Sequence, residues 1–207
     1  MKTLREFSYN GEAALLEILR ESSYLGLAQT IASLSLFTHP KTVEITQGKG
    51  LFRIRRYRAG ERRGTILEDE KVVLCDNDSP TRAFLWANRL SRQEYSEVQF
   101  NHIYPLSNEP AYYTSLANLC VTPAFLSKLT DKNEQVKSLL RFRAYDLYRF
   151  VPDGHSTPAK PDGYGQMTWA ETGEVCSDLK SVIEGRLAAN RKSRIALSVD
   201  NFGWLLG

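Results

Sequence analysis

In residues 133–150 the apolar side chains Val136, Leu139, Leu140, Ala144, Leu147 and Tyr148 recur at three- and four-residue steps. That period is the turn of an α-helix, so these side chains share a face and need a partner surface to cover it. The same period runs through residues 12–36, at Leu15, Ile18, Leu19, Leu25, Ala28, Ile31, Ala32 and Leu34, with Gly26 marking a break between two helices. His39-Pro40 closes that block, because the residue before a proline avoids helical geometry. In residues 43–76 the pattern shifts toward alternation. Val43 and Ile45 alternate with polar residues, as do Leu51-Phe52-Arg53-Ile54-Arg55, and Lys71-Val72-Val73-Leu74-Cys75 reads as a buried strand. Gly48, Gly50 and Ala59-Gly60 punctuate these runs, which predicts an antiparallel set of strands.

Further along, Asp78 or Ser79 with Pro80 opens a helix over residues 81–90. Strands are predicted at 98–104 and 119–121. A helix then runs from Pro123 to about Asp131, and Asp131 is placed to cap the helix after it. Residues 151–173 carry Pro152, Gly154, Pro158, Pro161, Gly163 and Gly165, the composition of a long loop or linker. A helix is predicted over 177–190 and a last strand over 195–199. The fold class is therefore α+β: N-terminal helices and antiparallel strands, then a strand–loop–strand–helix core, then a C-terminal helix. The segments are 1–95, 96–150 and 151–207, read as one unit.

Composition narrows the class. A chain with 42% hydrophobic and 25% charged residues buries a core and is not a disordered chain. The longest apolar-rich stretch, residues 25–37, is broken by Gln29, Thr30, Ser33 and Ser35, too polar to span a bilayer, and the N-terminus has no secretory signal pattern. Cys75, Cys120 and Cys176 lie far apart with no Cys-x-x-Cys pair, so no structural zinc is expected and free thiols in a cytoplasmic setting are. The net charge of +3 is mild but unevenly placed. Arg53, Arg55, Arg56, Arg58, Arg62 and Arg63 fall within eleven residues, and Arg186, Arg191, Lys192 and Arg194 form a second cluster. Arginine beside aromatics suits phosphate contact, so the first cluster is a candidate nucleic-acid surface; a solvated basic face is the plain alternative.

The chemistry concentrates in two pieces: Asn101-His102-Ile103-Tyr104-Pro105-Leu106-Ser107 on the first strand, and Asn118-Leu119 opening the second. A lone histidine of this kind is often a strand residue with a satisfied hydrogen bond, and an asparagine before leucine often caps a turn. Together, over about thirty residues, they resemble the HNH (ββα-metal) endonuclease family. The resemblance implies a DNA endonuclease of restriction, defence or mobile-element type that cleaves phosphodiesters with one divalent ion such as Mg²⁺, and a homodimer would suit cutting both strands. His102 would be the general base, a role a histidine near its ordinary pKa fills at neutral pH. Asn118 would brace the loop and the base. Asn101, with Asp131 on the following helix, would hold the metal. Two departures stand out: Asn101 replaces the family's acid or histidine, and the family's final ligand falls near Leu126 or Ser127. A hard cation prefers carboxylates, so an inactive DNA-binding or regulatory protein on the same scaffold is the alternative. A third reading takes Asp69 and Lys71, with Glu44 or Glu61, as a PD-(D/E)xK nuclease site. It requires Asp69 and Lys71 to meet at a cleft.

Overall fold

The structure is a computed structural model and describes residues 11–61, 63–91 and 97–204. It is mixed α+β, with 45% helix against 14% strand, so helices do most of the packing around two small sheets. Helices α1 (Gly11–Arg20) and α2 (Leu27–Leu34) are separated at Gly26, whose φ of 131° is easy only for a residue without a Cβ. Helix α3 (Pro40–Ile45) follows, where alternation suggested a strand. Pro40 presets the first helical φ, and His39 Nδ1 accepts from the Lys41 amide at 3.1 Å, so this prolyl pair starts a helix as well as ending a block.

Strand β1 (Ile54–Arg55) pairs parallel with β3 (Lys71–Cys75), and β2 (Thr65–Glu68) pairs antiparallel with it, giving the order β1-β3-β2. The expectation of an all-antiparallel set is corrected at β1. The β2–β3 hairpin turns at Asp69 and Glu70, whose φ of 47° and 59° match the turn that follows strand twist. Asp69 and Lys71 are exposed at this tip, so the acid–lysine pair does not meet at a cleft and the PD-(D/E)xK reading fails its own requirement.

Helix α4 (Ser79–Ala87) leads toward β4 (Val98–His102), which pairs antiparallel with β5 (Leu119–Pro123) in the register Asn101↔Cys120 and His102↔Leu119. Leu36 bridges to Val121 on the outer side of β5. Between β4 and β5 lies a short helix α5 (Pro110–Tyr113); after β5 comes α6 (Ser127–Lys132). Helix α7 (Glu134–Tyr148) buries Val136, Leu139, Leu140 and Ala144, and its start is capped by Asn133, which accepts from the Val136 amide at 3.1 Å. That corrects the assignment of the cap to Asp131. Helices α8 (Leu179–Ala188) and α9 (Arg194–Phe202) complete the chain. The predicted last strand is α9: Ser193 caps it by accepting from the Ala196 amide at 3.2 Å, and Ile195, Ala196 and Ser198 are buried on one face.

One hydrophobic cluster holds Leu19, Ile31, Phe52, Leu116, Leu139 and Ile183, drawn from all three sequence segments. Each such side chain contributes roughly 1.5–3 kcal/mol on leaving water. The loop at 151–173 belongs to this packing. Trp169 stacks edge-on against Phe37 with centroids 6.0 Å apart, Tyr164 against Phe142 at 4.6 Å, and Gln29 donates to the Thr168 carbonyl at 2.9 Å. The three cysteines are free and buried. Among the described residues no helix is long and apolar enough to cross a membrane.

Arg55 is the polar centre of the first sheet. It is 4% exposed, and its guanidinium meets Glu61 at 3.0 Å and Glu68 at 3.2 Å, the second contact being an ion pair without hydrogen-bond alignment. Glu61 and Glu68 are half-exposed, so removing Arg55 costs its buried packing and a partly screened pairing, about 2 kcal/mol. Arg55→Ala is therefore expected to lower the denaturant midpoint by that order, whereas exposed Arg56→Ala leaves it within about 0.5 kcal/mol; urea unfolding of the two variants checks this.

Candidate functional site

His102 ends β4, and two residues later the chain is pinned at Tyr104. The Asn118 side chain accepts from the Tyr104 amide at 2.8 Å and donates to the Tyr104 carbonyl at 3.1 Å. Its NH₂ also lies 3.4 Å from the Tyr112 carbonyl, and its own backbone carbonyl accepts from the Ile103 amide at 2.9 Å. Asn118 is fully buried, so this one side chain sets the exit of β4 and the loop behind it. Residues 50–52 back that loop. Thr114 Oγ1 receives the Leu51 amide at 3.0 Å and the Phe52 amide at 3.1 Å. Gly50 approaches so closely that a Cβ would sit 3.0 Å from the Ala111 carbonyl oxygen and 3.1 Å from that of Pro110.

The loop delivers Tyr113 to His102 twice. The two rings stack at 5.0 Å and 12°, and His102 Nε2 lies 2.8 Å from the Tyr113 carbonyl. A carbonyl only accepts, so Nε2 carries the proton, and in the neutral ring Nδ1 is the basic nitrogen. Burial pushes the His102 pKa below its ordinary value, opposed by the bond to Tyr113 and assisted by the Arg56 charge. The Tyr113 phenol donates to the Asp76 carbonyl at 2.8 Å, and burial raises its pKa, which keeps it protonated.

His102 faces a cleft of about 250 Å³ whose polar lining is Arg56, Asn77, Thr81, Gln99 and Ser107. Arg56 reaches it because its amide donates to the Ser107 carbonyl at 3.1 Å. Among the described residues no Asp or Glu lines this cleft. Asn77 and Thr81 are shared with a neighbouring cleft of about 370 Å³ that contains Arg63 and Arg194, together with Asp76 and Asp78. The Arg63 guanidinium sits 5.4 Å from the centre of the Tyr57 ring and lowers the Tyr57 pKa through hydrogen bonding and charge.

No family model, curated protein or solved structure matches this chain significantly.

The site is therefore read from its own residues. His102 and Asn118 are linked through the loop, His102 by the Tyr113 carbonyl and Asn118 by that of Tyr112. Asn101 does not join them. Consecutive strand residues face opposite ways, and the Asn101 amide group donates to Thr122 Oγ1 at 2.9 Å while its oxygen accepts from the Thr130 hydroxyl on α6 at 3.0 Å. That hydroxyl also lies 2.7 Å from the Ser127 carbonyl. Asp131 is exposed on α6. An amide oxygen already bonded to a hydroxyl and one exposed carboxylate are not a donor set for Mg²⁺, which demands near-octahedral oxygen ligands. The described residues also contain no group of three or more His, Cys, Asp or Glu able to hold a metal.

The basic cluster divides. Arg55 is withdrawn from the phosphate-facing set by its buried pairing. Arg53 is half-buried, with its Nε buried. Arg58 is exposed and donates to Asn108 at 2.8 Å, Arg56 and Arg63 face the two clefts, and Arg62 lies outside the described residues. Sequence reasoning missed Tyr113 as the holder of the histidine, and Asn77, Thr81 and Gln99 as lining. It placed Arg194 in a separate cluster. No local signal marks these residues; they meet through tertiary packing alone.

A His102 pKa held below that of the unfolded chain means the unfolded state binds more protons in this range. The histidine's contribution to stability is then complete above about pH 6.5 and is lost as pH falls through the folded value. Thermal unfolding between pH 7 and 5.5 should show a steeper decline for the wild type than for His102→Gln; equal slopes would contradict the buried, neutral ring.

Proposed function

We propose that this chain binds DNA through the His102 cleft and its neighbour, on an HNH-like strand–loop–strand–helix scaffold, as a binding module and not as a nuclease. The observation that carries this reading is the convergence of Arg56, Arg63 and Arg194 around Asn77 and Thr81. Three guanidinium groups beside hydroxyl and amide donors suit successive phosphates, because arginine offers planar, paired N–H donors to anionic oxygens. The Asn101–Thr130 contact argues against hydrolysis: it fills with a neutral hydrogen bond the position that the resemblance gives to a metal ligand.

A second reading, phosphodiester hydrolysis with His102 as general base, is favoured by one observation. The Nε2 bond to the Tyr113 carbonyl leaves Nδ1 free to take a proton from water. Among the described residues, those around it do not supply a hard-cation site.

Gel-shift titration and plasmid cleavage separate the readings. The wild type is expected to shift duplex DNA with a log–log salt slope of roughly −3, one unit per phosphate contact, and Arg56→Ala to reduce that slope by about one. Supercoiled plasmid should remain intact with Mg²⁺, Mn²⁺ or EDTA. Cutting that needs metal and disappears in His102→Ala would establish the nuclease reading, and no shift at low salt would end the DNA reading altogether.

A further inference from the structure

Tyr104 forms the wall of a second cleft, separate from the one His102 faces. Its backbone is held by Asn118, while its ring, 2% exposed, meets Phe150 at 5.9 Å, His155 at 5.0 Å and the Arg141 guanidinium at 5.2 Å. The cleft encloses about 390 Å³ between α7 and the proline-rich loop. Arg141 and Ser138 come from α7, one turn apart; His155, Ser156 and Lys160 come from the loop, with Asp162 as the one carboxylate on its lining. Pro158 and Pro161 stiffen the loop side.

Two of the residues lining this cleft each carry a buried donor without a partner among the described residues: the Tyr104 hydroxyl and Arg141 Nε. A buried donor without an acceptor costs about 1–3 kcal/mol, and such groups in a cleft point to an acceptor that arrives from outside. Burial raises the Tyr104 pKa, so the phenol keeps its proton and stays a donor. Arg141 and Lys160 outweigh Asp162 in formal charge, so the missing acceptor is anionic. The donors come from the wall, from a helix and from a loop, on several sides of one space. That arrangement suits a tetrahedral oxyanion better than a planar carboxylate.

We infer that this cleft is a phosphate-binding site, in which Tyr104 and Arg141 donate to the phosphate oxygens from within and Lys160, Ser138 and Ser156 close over it from the rim. The phosphate belongs either to a small phosphate ester or to a nucleic-acid backbone that passes across α7; the chemistry of recognition is the same for both.

The test titrates inorganic phosphate into the full chain and follows the Arg141 Nε–H signal by NMR, with thermal unfolding in parallel. A saturable shift of that signal is expected at millimolar phosphate. Tyr104→Phe keeps the ring and removes only the hydroxyl. Its phosphate-free Tm should equal or exceed that of the wild type, because a partnerless buried group is gone, while phosphate binding weakens about tenfold. Arg141→Gln should lose the binding. A short DNA duplex added to the phosphate-loaded protein assigns the source: release of the bound inorganic phosphate, read as loss of its ³¹P line broadening, supports a backbone phosphate, and retained broadening supports a small ester. An Arg141 signal unmoved by phosphate, or Tyr104→Phe binding phosphate like the wild type, would overturn the proposal.

Discussion

The fully buried side chain of Asn118 is the interaction on which the central unit depends. It closes a ring of hydrogen bonds with the amide and the carbonyl of Tyr104, and reaches the Tyr112 carbonyl behind them. No apolar residue could replace it without leaving those backbone groups dry and unpaired. The direction of β4 at its end, the place of Tyr113 and hence the orientation of His102 follow from this contact. So does the position of Tyr104, which lines the cleft beside α7. An amide side chain is suited to the task because it donates and accepts at once; a carboxylate would face the Tyr104 carbonyl with like charge.

The Asn101–Thr130 contact ties α6 to β4. A strand–loop–strand–helix segment of this size buries too little surface to hold itself together. Here the helix is tied to the strand by a neutral hydrogen bond, and the sheet is inserted into a larger core. Leu36 bridges to Val121 on one side, while Phe84 packs with Leu119 and Val121 in a satellite cluster that Leu36 and Phe100 border.

Periodicity made the long helices legible. Residues 133–150 and 177–190 carried enough turns for the apolar stripe to be unambiguous, and the two strand pieces around His102 and Asn118 were bounded by their own motif. The short elements were not. Val43 and Ile45 alternate over three residues, which fits a helix of six as well as a strand, and Pro40 with the His39 side chain decided for the helix. Residues 195–199 are too few to show a period, and the Ser193 cap decided there. The arginine-rich run had the same ambiguity in another form. Its alternation placed Arg53 and Arg55 on one face and Ile54 on the other, yet both Ile54 and Arg55 are buried, because Glu61 and Glu68 follow Arg55 inside. Charge in a sequence is normally read as exposure, and a buried ion pair is where that reading breaks.

The two clefts also show what kind of information a sequence withholds. His102 was found because its chemistry sits in a local pattern. The arginine at position 194 was placed in a distant cluster, and its arrival beside Asn77 depends on how α8 and α9 fold back over the first sheet. Arg194 Nη1 donates to the Cys75 carbonyl, which fixes it at the end of β3. Asp76 donates its amide to the Arg55 carbonyl, so the same strand end gathers the backbone of β1 and β3 and the Arg194 side chain of α9. The basic surface is thus built where the ends of β1 and β3 meet the Arg194 side chain at Cys75–Asp76.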